Sequence, residues 1–222
     1  MLPQPGQPKG IVIYFDCAYK LSVSDLRACL VQSSDQTDEI ITEALSRLHV
    51  IRPDSSRKLL NQVRKVESYI QSLSLKNVVL SAVALADLSV FYWSERWSEE
   101  EARFQTGVPN MEKSYSRESL HTMILTELGR LQKIYQCVII ASGLGVANNG
   151  TANIRTGLAG PWVRAVDIKI VLGRAVDNRI ECEVDGRRWV AACGGGDGTG
   201  KAKCEIHVSE KGLELGKLRH ES

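Results

Sequence analysis

The chain has 222 residues, 43% of them apolar and 24% charged, and no apolar run approaches the ~20 residues of a membrane span, so the fibrous, disordered and integral membrane classes are excluded. Its 28 Lys and Arg against 26 Asp and Glu leave a net charge of +2, far from that of a protein that holds nucleic acid by bulk charge; any DNA contact has to be local. The six cysteines (Cys17, Cys29, Cys137, Cys182, Cys193, Cys204) never fall in a CxxC pair, and a chain this long needs no disulfide staples, so they read as reduced, mostly buried thiols of an intracellular protein.

Met1 to Gly10, rich in Pro, Gln and Gly, has neither the basic start nor the apolar stretch of a signal peptide and reads as a disordered tail. The folded domain is expected over 11–215, with 216–222 a second tail. Ile11 to Phe15 is an apolar run closed by Asp16, the pattern of a strand buried on both faces. Ser22 or Ser24 caps a short helix carrying Leu26, Leu30 and Val31, and a second helix near Thr37 to Leu48 aligns Ile40, Ile41, Ala44, Leu45 and Leu48. His49 to Ile51 is a short strand stopped by Pro53. Asp54 or Ser55 then caps a helix in which Leu59, Leu60, Val63, Val66, Ile70 and Leu73 repeat with the helical period, leaving Arg57, Lys58, Arg64 and Lys65 on a solvated side.

Val78 to Leu85, the longest apolar run, is the candidate central strand. Ser114 to Tyr135 predicts a long helix with Leu120, Ile124, Leu128 and Leu131 on its stripe, feeding the strand Cys137 to Ala141. Such alternation implies right-handed crossovers and a mostly parallel sheet with helices on both faces. After Gly143 the pattern changes to short strands without helices: Ile168 to Leu172, Ile180 to Val184, Arg188 to Ala192 and Cys204 to Val208, with Asp185-Gly186 as a two-residue hairpin signal. The expected fold is thus α/β, one domain whose mostly parallel sheet carries a C-terminal antiparallel meander.

The string Gly195 to Lys201 satisfies GxxxxGK, yet Ala202 stands where a phosphate loop needs Ser or Thr for magnesium, and Lys203 to Val208 reads as a strand rather than the required helix. A Gly-rich hairpin loop accounts for it. The four histidines (His49, His121, His207, His220) show no metal spacing and read as satisfied or exposed, and no Gly-x-Ser-x-Gly elbow is present. Phe91-Tyr92-Trp93, with Trp97 and Phe104 beyond, gathers scarce aromatics beside the acidic Glu95, Glu99, Glu100 and Glu101. Packing over the strand ends is the simplest role; if this loop binds anything, its acidity favours a protein over DNA, which marks Phe91, Tyr92, Trp93 and Trp97 as candidate partner contacts. The stretch Gly143 to Gly160, rich in Gly, Asn and Ala, follows a parallel strand where ligand loops gather. A disordered surface loop and a contact for single-stranded DNA through Arg155 and Arg164 both stay open.

The stretch Ser81-Ala82-Val83-Ala84-Leu85-Ala86-Asp87-Leu88-Ser89-Val90-Phe91-Tyr92-Trp93-Ser94-Glu95-Arg96 resembles the RecA-like strand-exchange recombinase paralogues of eukaryotes, in which an apolar strand runs into an acidic residue, a Leu-Ser segment and Phe-Tyr-Trp. Ile13 to Tyr19 is similar to that family's strand ending in an aspartate, and Ser209 to Glu214 to its closing turn. The resemblance implies a RecA-like fold over Gly10 to about Leu215, and it also marks departures. The family's phosphate-loop strand and helix, which precede the strand at Ile11, are missing, which is expected to remove a central strand and leave hydrogen-bonding edges exposed. Ala18 replaces an acid, and Asp87 lies one position late because Ala86 takes the place of the family's second acid. Three ATPase elements are absent or altered. The resemblance therefore implies a nuclear, non-catalytic assembly factor of homologous-recombination repair, without cofactor or membrane attachment. Its implied partners are other recombinase paralogues or the main strand-exchange recombinase, with weak binding of single-stranded DNA. The alternative is a DNA-dependent ATPase whose phosphate loop lies upstream of this chain.

Overall fold

The computed structural model describes residues 9–33, 37–73, 78–106, 117–147, 154–156, 160–165, 168–174, 180–186, 200–209, 212–215 and 219–220. The chain divides into two compact units, Met1–Ser22 with Thr42–Arg164, and Val23–Ile41 with Ala165–Ser222.

The first unit is built on four parallel strands, β1 (Lys9–Asp16), β2 (Leu48–Ile51), β3 (Val78–Ala86) and β4 (Val138–Ala141), in the order β2-β1-β3-β4. In register, Phe15 stands between Ile51 and Leu85, and Leu85 beside Ala141. Strand side chains alternate, and β3 carries one extra residue, Ser81, where the register with β1 shifts between Ile11 and Val12, so Ile11, Ile13, Phe15, Leu80, Val83 and Leu85 share one buried face. That face packs with helices α3 (Ser56–Leu73) and α5 (Arg117–Tyr135), which bury Leu59, Val63, Val66 and Ile70 from the first and Ile124, Leu128 and Leu131 from the second. On the opposite face Tyr14 is half-buried and Val50, Val138 and Ile140 are exposed.

Local chemistry explains the helix placements. Ser55 caps α3, its hydroxyl accepting the Lys58 N–H at 3.3 Å, and the six apolar residues recognised in the sequence form its inner stripe. The basic residues of α3 are exposed; Arg64 reaches across to Glu127 of α5 at 3.2 Å, and Arg130 bonds Glu67 and Glu127. The buried positions of α5 include His121, one turn before Ile124.

The structure departs from the sequence expectations at several points. β3 pairs with β1 on one side and directly with β4 on the other, and among the described residues β2 and β4 are the outer strands of this sheet. The aromatic segment is not a loop: a single 3-10 turn, Leu88–Phe91, leads into helix α4 (Tyr92–Thr106). The segment after β4 holds a two-stranded antiparallel pair, β5 (Gly145–Ala147) with β6 (Ile154–Thr156), before helix α6 (Gly160–Ala165).

The second unit contains α1 (Val23–Ser33), and the helix α2 (Asp38–Ser46) runs from it into the first. Arg27 grips the Asp38 carboxylate with both oxygens, at 2.6 and 2.7 Å. Its strands β7 (Ile168–Arg174), β8 (Ile180–Gly186), β9 (Gly200–Ser209), β10 (Gly212–Leu215) and β11 (Arg219–His220) form an antiparallel sheet of their own rather than extending the parallel one. Ile168, Ile170 and Leu172 share a face with Ile180, Cys182 and Val184 and with Ala202, Cys204 and Ile206, while Lys169, Glu183, Asp185, Lys201 and Lys203 alternate onto the other. This period-two pattern fixes the register, since a one-residue slip would exchange the faces. Asp185-Gly186 is not a hairpin turn. Both residues end β8, opposite Lys201 and Gly200, so the connection runs through 187–199. The strand expected at Arg188 to Ala192 lies outside the described residues, as do 1–8, 216–218 and 221–222 of the expected tails at 1–10 and 216–222; of the rest, Lys9 and Gly10 open β1 and Arg219–His220 form β11.

Candidate functional site

In an open parallel sheet, ligand crevices form beyond the carboxyl ends of strands, where the strand order reverses. Here β1 is followed by β2 on one side and by β3 on the other, so the reversal falls between β1 and β3. Two carboxylates lie at these ends. Asp16 is 1% exposed; its Oδ1 accepts the Lys20 N–H at 2.9 Å, and its Oδ2 accepts the Leu21 N–H and the Arg52 Nε–H, both at 3.1 Å. Arg52 also donates to the Leu21 carbonyl, the Tyr19 hydroxyl donates to the Arg52 carbonyl, and the guanidinium lies 5.9 Å from the Tyr19 ring centre. Tyr19 takes a left-handed backbone (φ 59°), which turns the chain sharply enough to bring the amides of Lys20 and Leu21 back onto Asp16.

Asp87 lies just past β3, again left-handed (φ 55°, ψ 46°). Its N–H donates to Ser142 Oγ at 3.1 Å, its carbonyl accepts the Val90 N–H, and its Oδ2 takes the Lys20 ammonium at 2.9 Å. Ala86 is the residue in register with Asp16, and Asp87 has left the ladder. Burial, and then the Asp16 and Asp87 charges, push the Cys17 thiol up to about 12; the same causes, in the same order, raise Tyr14. The Asp16 carboxylate thus holds a turn and a guanidinium of this chain, and the Asp87 carboxylate an ammonium.

The aromatic candidates separate by exposure. Phe91 is 4% exposed and belongs to the hydrophobic core, which removes it from the partner contacts; Tyr92 is half-buried. Trp93 and Trp97 are each 70% exposed and Phe104 is 87% exposed. At 3.6 residues per turn these three fall within about 40° of arc on α4. Glu95 lies on the far side of the helix, where its Oε2 meets His121 Nε2 at 3.1 Å, and Trp162 Nε1–H donates to His121 Nδ1 at 2.9 Å. His121 and Trp162 are buried, and the acceptor role of Nδ1 leaves the imidazole proton on Nε2, directed at Glu95. This linkage fixes which way α4 faces. The sequence reading missed it, although a histidine at a stripe position of α5 was its signal.

Of the candidate DNA contacts, Arg155 lies in β6, opposite Val146, and Arg164 is exposed in the last turn of α6. Residues 148–153 and 157–159 between them lie outside the described residues. Lys201 of the Gly-rich string is a residue of β9, opposite Asp185, rather than the start of a helix; 195–199 are outside the described residues. Among the described residues no three His, Cys, Asp or Glu side chains are grouped to hold a metal, and no helix is long and apolar enough to cross a membrane. No family model matches the chain, and no curated protein matches it.

Proposed function

We propose that this protein is a recombinase paralogue of RecA-like fold, acting as a non-catalytic assembly factor in homologous-recombination repair of DNA double-strand breaks. One observation carries the reading. The Ser81–Arg96 stretch runs along central strand β3, over its end at Asp87 and into α4, where Trp93 and Trp97 stand in solvent. Exposed tryptophans on a helix anchored from behind are what a protein-binding surface requires, because rigid aromatic anchors dominate interface energies. The engagement of both strand-end carboxylates also supports a role without nucleotide hydrolysis, which needs groups placed to hold magnesium and position water. Its partners are other recombinase paralogues or the main strand-exchange recombinase, in the nucleus. With two or three basic residues, Arg155 and Arg164 among them, as phosphate contacts, single-strand binding is weak, and log affinity falls against log salt with a slope of roughly −1.5 to −2.

The test is size-exclusion chromatography of the purified chain with each recombinase paralogue and with the strand-exchange recombinase. A defined complex with one of them, weakened about tenfold or more by Trp93→Ser with Trp97→Ser, is expected. No complex with any of them sinks the reading. So does an ATP-dependent rise in the melting temperature of the isolated chain, since a ligand that prefers the native state must raise it.

A further inference from the structure

In the ladder between β8 and β9, Cys182 stands directly opposite Cys204. Residues opposed in an antiparallel pair share a face, with Cα atoms about 4.5–5.5 Å apart. A disulfide spans Cα separations of about 4.4–6.8 Å. The pair is flanked in register by Val184 opposite Ala202 on one side and Ile180 opposite Ile206 on the other, so the ladder continues in both directions and holds the two positions across from one another. Cys17 and Cys137 are buried in the first unit and Cys29 lies in α1, and among the described residues no other strand pairing sets two cysteines opposite one another.

We infer that Cys182 and Cys204 form a reversible cross-strand disulfide, a redox modification site that responds to small-molecule disulfides of the glutathione type. The inference is independent of any role in recombination. In the reaction one cysteine thiolate attacks a sulfur of the oxidised tripeptide, forming a mixed disulfide and expelling one reduced tripeptide. The second thiolate then attacks the protein-bound sulfur, closing the cross-strand bond and expelling the other. The two cysteines are oxidised, the small disulfide is reduced by two electrons, and the two thiol protons end on its two products. In a reducing compartment the pair rests as thiols, as the sequence reading expects, and it closes when that poise shifts. Closure joins β8 to β9 across the long connection between them, restricting the unfolded chain and raising the melting temperature.

The experiment treats the full chain with oxidised glutathione, blocks the remaining thiols under denaturing conditions, and maps the digest by mass spectrometry. Expected are the loss of two free thiols, a peptide linking Cys182 to Cys204, a higher melting temperature and full reversal by dithiothreitol. With Cys182→Ser the linked peptide is replaced by a glutathione adduct on Cys204, and the rise in melting temperature is lost. A wild type that stops at glutathione adducts on either cysteine, pairs one of them elsewhere, or keeps all its thiols overturns the inference without reliance on any variant folding.

Discussion

The turns after β1 and β3 lie at neighbouring strand ends and use the same residue type in opposite ways. Asp16 is enclosed, and its two oxygens accept two backbone amides and one guanidinium. Asp87 has a side chain 25% exposed, and among the described residues its own carboxylate holds only the Lys20 ammonium, which is itself 69% exposed; the turn around it is made by the Asp87 backbone and Ser142. A carboxylate that replaces water for buried donors becomes part of the fold, whereas one that pairs at the surface exchanges one solvated state for another. The largest expected effect follows from this difference. Asp16→Ala strands two amides of the Lys20–Leu21 turn and should cost about 3 kcal/mol in urea unfolding; Asp87→Ala should cost less than about 1 kcal/mol. Equal costs would break the comparison.

How much of this was legible in the sequence depends on where the deciding information lay. The α3 stripe from Leu59 to Ile70 declared itself because its apolar residues face inward with a clean helical period, and the strand runs at Ile11 and Val78 because they are almost continuously apolar. Helix α4 hid because the rule is inverted there: Trp93, Trp97 and Phe104 face outward, and Glu95, the residue opposite them, meets a buried histidine. The direct β3–β4 pairing and the end of β8 at Asp185-Gly186 are set by partners far along the chain, which no local signal reports. Of the candidate site, Asp16 was visible as the close of a strand. Arg52 was not, since it lies 36 residues away and becomes a partner only through the parallel pairing of β1 with β2.

The second prediction sharpens the comparison through a group that sits next to the enclosed acid. Burial and the Asp16 and Asp87 charges raise Cys17 from its ordinary 9.0 to about 12. Below pH 9 the thiol is protonated in both folded and unfolded chains and adds no pH dependence. Above it the unfolded chain releases the proton while the native chain keeps it until about pH 12, so the unfolded state binds fewer protons and stability falls as pH rises. The expected loss is at most ~1.4 kcal/mol per pH unit in that window. Urea unfolding at pH 8 to 11 should show wild type losing stability faster than Cys17→Ala; parallel slopes would mean that the thiol is solvated in the native protein.

Asp87→Gly gives a smaller effect. The left-handed backbone at φ 55° costs a side-chain-bearing residue about 1 kcal/mol, which glycine avoids, but glycine adds unfolded-state freedom of similar size and forfeits the Lys20 pair. The net change should stay within about 0.5 kcal/mol. A large loss would show that the Asp87 carboxylate, and not only its backbone, holds the turn.

The smallest effect is the coupling between Lys20 and Asp87, measured by a double-mutant cycle with alanine at each position. Two partly solvated groups 2.9 Å apart gain little over water and pay for ordering a long side chain, so the coupling should be below about 0.5 kcal/mol. At about 1 M salt the screening length falls to ~3 Å, and the coupling should vanish. The matching cycle for Arg52 and Asp16 should behave otherwise. Arg52 is half exposed at 47%, but its Nε–H reaches a carboxylate that is 1% exposed, where salt ions do not enter between the partners. Its coupling should exceed that of the Lys20 pair and persist in salt. If both couplings faded together, the enclosure of Asp16 would be failing to exclude solvent, and the contrast between the two strand ends would reduce to one of hydrogen-bond count.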